Sequence, residues 1–540
     1  MSSIKSIKEI QQDRESKTGA GGADFNCDVL VIGGGGAGLA AAIEAADNDS
    51  HVMLLEKNPE LGGTTAWSIG SFTATQTRQQ LAQGIEDSPD EHFADMPKFS
   101  GPLADRDNPA LRRLFVDNAN ETLRWLEALG VEFFGPMPEP PHSKPRMHNV
   151  LPNSKAYIRQ LGQQAQNIGI DVRVGARATR FLLDGDRVVG VACDISAGKG
   201  GSDGNGGDGA GGEHEIRARA VVLASGDYAA NSELKARFIS PAVSKVDAMN
   251  PTATGDGHVM AFPLGAHVLN GDVLSGPTLR FIPPPGESLE RKLPPTRLMA
   301  KLMRFALKYF PERILRPFVL GFTTTSMAPE LDLFTKGALL INQEGLRITG
   351  APLTLGLTIA DQPDKIGYVI LDQALADKFS AWPDFISTAP GVSYAYFDDF
   401  RRTRPDIFHK GGNLPELAEA LAIDGKTLVA SVAAHNSDAA QALLKPPFYA
   451  LGPAKSYVVL TDGGLAVSDG LQVLGEGDKP IPGLYAAGSA GQGGLMLKGH
   501  GHHIGWAFTS GRLAGRIAAA EAASQTVVEL VEEAVTQAAS

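Results

Sequence analysis

Three histidines, His500, His502 and His503, stand in the glycine-rich stretch GGLMLKGHGHHIGWAFTSGRLAG, which runs from Gly493 to Gly515 and into a helix. An imidazole titrates near neutrality, so it can bind metal, carry a proton or polarise a carbonyl. Metal needs several lone pairs on one centre. Neighbouring residues rarely aim at one point without a turn, and no acidic or cysteine cluster accompanies these three, so we expect no metal site. A loop this rich in glycine has little core to fill, so packing is a poor account of all three. His502 and His503 are expected to face a pocket.

The second stretch with chemical potential is DVLVIGGGGAG, Asp28–Gly38. A short apolar run, Val29–Ile32, enters glycines spaced GxGxxG at Gly33, Gly35 and Gly38. LAAAIEAADN then reads as a helix, and HVMLLEK as a second buried strand ending at Glu56 and Lys57. This is a β-α-β unit with an acid about twenty residues past the glycines, the pattern of a dinucleotide site. Gly33, Gly35, Gly36, Ala37 and Gly38 let backbone approach a pyrophosphate at a helix N-terminus. Glu56 would take the adenosine ribose.

These elements must be carried by a chain of 540 residues, too long for one hydrophobic core, so two domains are expected. A net charge of −12 argues against general nucleic-acid binding. Cys27 and Cys193 are the only cysteines, which excludes a disulfide scaffold, a CxxC redox pair and an iron–sulfur site built from this chain alone, and suits a reducing cytoplasm. The polar N-terminus lacks the apolar core of a secretory signal, and residues 1–26 read as a disordered tail. No run of 18 apolar residues is present to span a membrane.

Between the two stretches, the pattern from about Asn108 to Gly169 is helical, and strand-like pieces follow on either side of GKGGSDGNGGDGAGGE (Gly198–Glu213), a solvated hairpin tip by composition. A glycine turn with Asp256 opens a helix in NPTATGDGHVMAFPLGA. From Val273 to about Leu443 the composition changes, as for an inserted second domain. Within it, Arg291–Arg316 holds eight basic residues against one acid, Glu312. Residues 297–310 read as a basic amphipathic helix, with Arg297, Lys301, Arg304 and Lys308 on one face. Such a helix can rest on an anionic membrane, but the expectation is a cap helix whose apolar face packs on its own domain. The nucleotide pattern returns in KPIPGLYAAGSAG, a strand ending in a tight turn.

VIGGGGAGLAAAIEAA, LLEKNPELGGTTAWSIGS, IRARAVVLASGDYAAN, TGDGHVMAFPLGA, KGALLINQEGLRI, TDGGLAVSDGLQVL and IPGLYAAGSAG stand in one order from about residue 27 to 517. Together they resemble the soluble fumarate reductase/succinate dehydrogenase flavoprotein family, which includes the 3-ketosteroid dehydrogenases, and the nearest branch is the latter. The resemblance implies an α/β fold: a two-part Rossmann-type FAD-binding domain (27–272 and 444–540) interrupted by a smaller α+β substrate-capping domain (273–443). It implies FAD held by Gly33, Gly35, Gly36, Ala37, Gly38, Glu56, Lys57, Gly62, Gly63, Thr64, Thr65, Ser68, Ala224, Ser225, Gly226, Asp256, Gly488, Ser489 and Gly505. Membrane-bound relatives attach the flavin to a histidine after the second strand. GGTTAWSIGS has none, so FAD is expected to be non-covalent. The helix following His503 would turn its N–H groups to the flavin N1–O2 edge.

Departures from the family narrow the chemistry. Fumarate reductases follow the NxxGxR stretch with a threonine–arginine–aspartate group. Here Arg347 is followed by ITGAPLTLGLTIAD. Tyr457, Val458 and Val459 occupy the run where those enzymes carry a histidine, and His503 stands at a carboxylate-binding arginine. C4 dicarboxylate chemistry is therefore not expected. The ketosteroid pattern has a tyrosine after alanine–proline; here Ala351 and Pro352 precede Leu353, and a second tyrosine is lost at or near Leu497. The family moves hydride between flavin N5 and a carbon beside an activating carbonyl, which needs a proton carrier and a carbonyl donor. His503 or His502 is expected to fill these roles, with Tyr394 and Tyr396 as partners from the cap. The expected reaction is dehydrogenation of a CH–CH unit in an apolar, steroid-like or cyclic ketone, with electrons passing to an external acceptor. The alternatives are an enoate or enone reductase and an electron-transfer subunit without its own substrate.

Overall fold

The computed structural model describes residues 25–195, 212–284, 286, 289–311, 316, 320–321, 323–325, 327–389, 393–438 and 442–539. The expected tail up to residue 24 and the glycine-rich tract up to residue 211 lie outside the described residues; Phe25 and Asn26, expected in the tail, and Gly212 and Glu213, expected in the tract, already belong to strands.

Val29, Leu30 and Val31 are fully buried, as a parallel strand covered on both faces requires. Phe25–Ile32 pairs in parallel with Val52–Glu56 on one side and Gly212–Leu223 on the other. Asp171–Val174 extends the first side, and Pro480–Ala486 joins Gly212–Leu223 on the second. The C-terminal strand thus completes the sheet that the N-terminal strand began. The helix Gly36–Ala46 packs along the C-terminal helix, His502–Ala539, at a distance only small residues permit. A Cβ on Gly511 would lie 2.3 Å from the Ala37 carbonyl oxygen, and one on Gly515 2.2 Å from that of Ala41.

A second core is separate from this one. Leu339–Asn342, Ile366–Asp372 and Phe448–Val458 form an antiparallel sheet, and Thr278–Phe281 and Phe408–Gly411 also pair with Phe448–Val458. Its buried apolar residues run from Leu279 to Ala454. Phe448–Val458 is therefore the strand that ties this sheet together, although it follows residue 444 in the chain. No helix among the described residues is long and apolar enough to cross a membrane.

Two sequence expectations are corrected. The region from Asn108 to Gly169 is not continuously helical. Helices Pro109–Ala128 and Lys155–Asn167 flank strands Glu132–Met137 and Met147–Leu151, which pair with each other. The first helix is started by Asn108, whose Oδ1 accepts from the N–H groups of Ala110 and Leu111, with Pro109 next. In the basic cap helix, Arg297–Tyr309, the apolar stripe does not pack on its own domain: Leu298, Leu302, Phe305 and Tyr309 are exposed. The helix is held from its basic side, where Arg304 pairs with Glu132 and Arg297 donates to the Leu129 carbonyl at 2.7 Å.

Candidate active site

The carboxyl ends of the parallel strands open into a cleft. Its walls are the glycine loop (Gly33, Gly35, Gly36, Ala37), Glu56 and Lys57, Gly63–Thr65, Ala224–Asp227, Asn250–Ala253 without Pro251, Asp256, and Gly488, Ser489 and Ala507. The cradle is shaped for an anion near backbone. The N-cap residue of Gly36–Ala46 is Gly35, which has no side chain to cap the helix, and Gly36 N–H donates to Thr65 Oγ1 at 3.1 Å, so the N–H groups after it in the first turn are the ones offered to a ligand. Gly33 has φ +111°, and a Cβ there would meet the Ala224 carbonyl oxygen at 2.4 Å. Glu56 is buried, with Oε2 accepting from Gly34 N–H at 2.7 Å and Oε1 from Asn58 N–H at 2.8 Å, so its carboxylate is fixed at the strand end. Ser225 Oγ is buried without a partner among the described residues, as an atom that serves a bound group would be. These residues fit FAD.

Four expected cofactor residues stand outside the cleft wall. Gly38 serves the turn itself, since a Cβ would come 1.8 Å from the Gly33 carbonyl oxygen. Gly62 has φ +147°, and Ser68 Oγ donates to the Thr65 carbonyl, so both shape the short helix Gly63–Trp67. A Cβ on Gly505 would strike Phe115 at 2.8 Å. Gly505 faces the helix Pro109–Ala128, and Ala507 is the residue of its own helix, His502–Ala539, at the cleft. Lys57 and Asp256 are bonded to each other at 2.8 Å, and Arg177 also donates to Asp256. Burial alone would raise the Asp256 carboxyl, but these two cations hold it below the usual carboxylate range. Asp227, Asn250 and Thr252 were missed because nothing in their spacing marks them; Asn250 reaches the wall by donating to Thr64 Oγ1 at 2.9 Å.

The histidine loop divides into three environments. His503 Nε2 lies 3.3 Å from Asp462 Oδ1, and its side chain is partly exposed. Asp462 is fully buried, and Lys498 Nζ donates to its Oδ2 at 2.6 Å while Gln492 Nε2 donates to Oδ1 at 3.2 Å. Burial pushes the Asp462 carboxyl up, yet His503 and Lys498 outweigh it and hold it down at about 2. The glycines of the Thr461–Gly464 turn allow this packing: a Cβ on Gly464 would meet the Gln492 nitrogen at 2.5 Å. Asp227, at the cleft wall, is raised to about 6 by burial, with Ala229 N–H and His503 acting against the rise. Asp462, Lys498 and Gln492 were not singled out in the sequence. The signal was the TDGG turn, but its register against the loop is a tertiary fact.

Neither His502 nor His503 is among the residues that line the cleft, contrary to expectation, and His502 is fully buried. Its Nδ1 donates to the Lys498 carbonyl at 2.6 Å, and its Nε2 lies 3.1 Å from His92 Nε2. His142 completes a trio whose ring nitrogens lie within 4.8 Å of one another, a spacing that could hold a metal ion. The hydrogen bonds argue otherwise. Arg146 donates to His142 Nδ1 at 3.0 Å, which puts the His142 proton on Nε2, and the free lone pair of His502 is taken by His92. Burial lowers all three histidines, His502 to about 4 and His142 to about 3, and keeps them neutral. His500, half-exposed, bonds through Nδ1 and its backbone N–H to Glu139, and that bond raises its pKa.

Tyr394 and Tyr396 have their contacts inside the cap. Tyr394 packs on Trp382 and Phe385, while Tyr396 lies under Arg316 and donates its backbone N–H to Asp399 Oδ2 at 2.9 Å. None of these contacts reaches the histidine loop.

The profile of the FAD binding domain family matches residues 28–286 and 330–498. The chain belongs to this family. It is 26% identical over 507 residues to the NADH:fumarate oxidoreductase of Klebsiella pneumoniae (strain 342), covering 90% of this chain but only 46% of that protein. It is 26% identical over 532 residues to the fumarate reductase (cytochrome) of Shewanella frigidimarina, covering 94% of this chain and 80% of that one. Among solved structures, the open conformation of a flavocytochrome c3 fumarate reductase superposes with a TM-score of 0.67 at 23% identity, over 96% of this chain and 82% of the other. The 3-ketosteroid-Δ4-(5α)-dehydrogenase from Rhodococcus jostii RHA1 does so with a TM-score of 0.56 at 22% identity, over 93% and 99%. The fold is the α/β fold expected, FAD is the cofactor, and the chain is a flavin-dependent oxidoreductase of the kind that acts at CH–CH and C=C bonds.

Proposed function

We propose that this flavoprotein saturates a C=C bond conjugated to a single carbonyl or carboxylate, and that His503 carries the proton. Bound FAD supplies the hydride chemistry, through flavin N5. The observation that supports the reading is the 3.3 Å approach of His503 Nε2 to Oδ1 of buried Asp462. The carboxylate faces Nε2 as an acceptor for its N–H, orients the ring and leaves Nδ1 as the site that exchanges a proton with substrate. Lys498 and Gln492 fix the carboxylate so that it cannot turn away. The substrate would lie between the flavin-binding part, 27–272 and 459–540, and the cap, 273–443 with the strand Phe448–Val458.

Both relatives named above are fumarate-reducing enzymes, which supports the reducing direction. The residues after Arg347, Val458 and Val459, and His503 itself replace the ligands of a dicarboxylate by the family resemblance, which points to one activating group. A second reading, dehydrogenation of an apolar steroid-like or cyclic ketone with an external electron acceptor, is favoured by those same uncharged replacements.

The test is to reduce the bound flavin chemically under anaerobic conditions and mix it with fumarate, cinnamate, cyclohexenone and a 4-ene-3-ketosteroid. Recovery of the oxidised spectrum with cinnamate or an enone supports the proposal. Bleaching of the oxidised flavin by a saturated 3-ketosteroid selects the second reading. Reoxidation by fumarate alone overturns the single-carbonyl pocket.

A further inference from the structure

The cap helix Arg297–Tyr309 leaves a surface that the site does not use. At 3.6 residues per turn, Leu298, Leu302, Phe305 and Tyr309 fall within roughly 60° of one another around the axis. They are 70%, 55%, 55% and 61% exposed, and Phe310 continues the patch just beyond the helix. Arg297, Lys301, Arg304 and Lys308 form a second stripe roughly 100° around from the first. Arg304 and Arg297 are committed to the flavin-binding part, through Glu132 and the Leu129 carbonyl. Those bonds hold the helix in one rotation, so the apolar stripe is turned outward. Lys301 and Lys308, both exposed, border it.

We propose that this helix is a membrane-contact surface that lies in the plane of an anionic lipid bilayer, with Leu298, Leu302, Phe305 and Tyr309 at the headgroup–acyl boundary and Lys301 and Lys308 against the phosphates. Thirteen residues are too few to span a bilayer, so the helix lies on it. A continuous stripe of large apolar side chains seldom faces water in a protein without a contact to make. The charge selects the occupant. The chain as a whole carries −12, yet the edge of this stripe is basic, complementary to lipid phosphates. A second copy is a poorer fit, because a two-fold contact through this face would set the same lysine rows side by side.

The experiment is co-sedimentation of the full FAD-loaded chain with phosphatidylcholine vesicles, with and without roughly one-third phosphatidylserine. Binding is expected only to the anionic vesicles, and high salt should release it. Lys301→Glu with Lys308→Glu should weaken binding on the order of tenfold or more. Leu302→Glu with Phe305→Glu should abolish it while leaving flavin absorbance and turnover in solution unchanged, which shows that the variant is folded. Absence of binding to anionic vesicles, equal binding to both vesicle types, or binding unaffected by either variant would overturn the proposal. So would a dimer of the free protein that the Leu302→Glu/Phe305→Glu variant dissociates, which would assign the stripe to a second copy.

Discussion

His502 and His503 are adjacent in the chain and opposite in environment. His502 points into a dry cluster of His92, His142, Phe99 and Phe115, where burial keeps it neutral. His503, one residue on, reaches the edge of solvent with a buried carboxylate behind it. The helix starts at His502, so successive side chains diverge by roughly 100°, and one peptide step separates a buried histidine from the proposed proton carrier. His502 holds the Lys498 carbonyl, and Lys498 in turn holds Asp462, so the buried histidine positions the group that orients the exposed one.

That contrast can be broken by substitution. The largest effect is expected at the dyad. His503→Ala or Asp462→Asn should slow flavin reoxidation by substrate by roughly 10²–10⁴-fold, with FAD still bound. A loss below about tenfold in stopped-flow traces would remove His503 from the proton path.

The buried partner should show the reverse signature. His502→Phe leaves the Lys498 carbonyl and a His92 nitrogen unpaired, which costs about 1–3 kcal/mol of stability. Thermal unfolding should report a clear drop in Tm, while His503→Ala, partly exposed, should shift it far less. Equal shifts for the two variants would erase the distinction.

Acid should separate them further. An imidazole ordinarily titrates near 6.5, but in the folded chain His502 and His142 protonate only near 4 and 3. The unfolded chain therefore binds more protons across that window, and stability should fall as pH drops from about 6.5 toward 3. Asp462 behaves as a depressed carboxyl: its contribution is complete above 3.8 and is lost as pH falls toward 2. Denaturant unfolding at a series of pH values should show a shallower slope between 6.5 and 4 in the His502→Phe variant. The smallest effect is expected at the surface pair beneath the cap helix, where Arg304→Ala should cost no more than about 1 kcal/mol.

The flavin half of the site was legible because its chemistry is local. Gly33, Gly35 and Glu56 are held together by one β-α-β unit, and their roles depend on backbone conformation and a helix terminus within a short span. The proposed proton-carrying half was not. Asp462, Lys498 and Gln492 converge across separate loops, and the strand Phe448–Val458 joins the cap sheet although the chain around it reads as flavin domain. The cap helix shows the same limit: its two stripes were plain in the sequence, but hydrophobic spacing cannot say which stripe meets protein, and here Glu132 and the Leu129 carbonyl drew the basic one inward.

By itself the sequence determined the cofactor and its cradle, the family, and the loop on which the proton chemistry is proposed, because turn geometry and helix termini are written in short runs of residue types. Only the tertiary structure decided which of two neighbouring histidines meets a buried carboxylate and which is sealed in the core. That choice depends on burial and on partners brought from distant loops, and neither is a property of spacing along the chain.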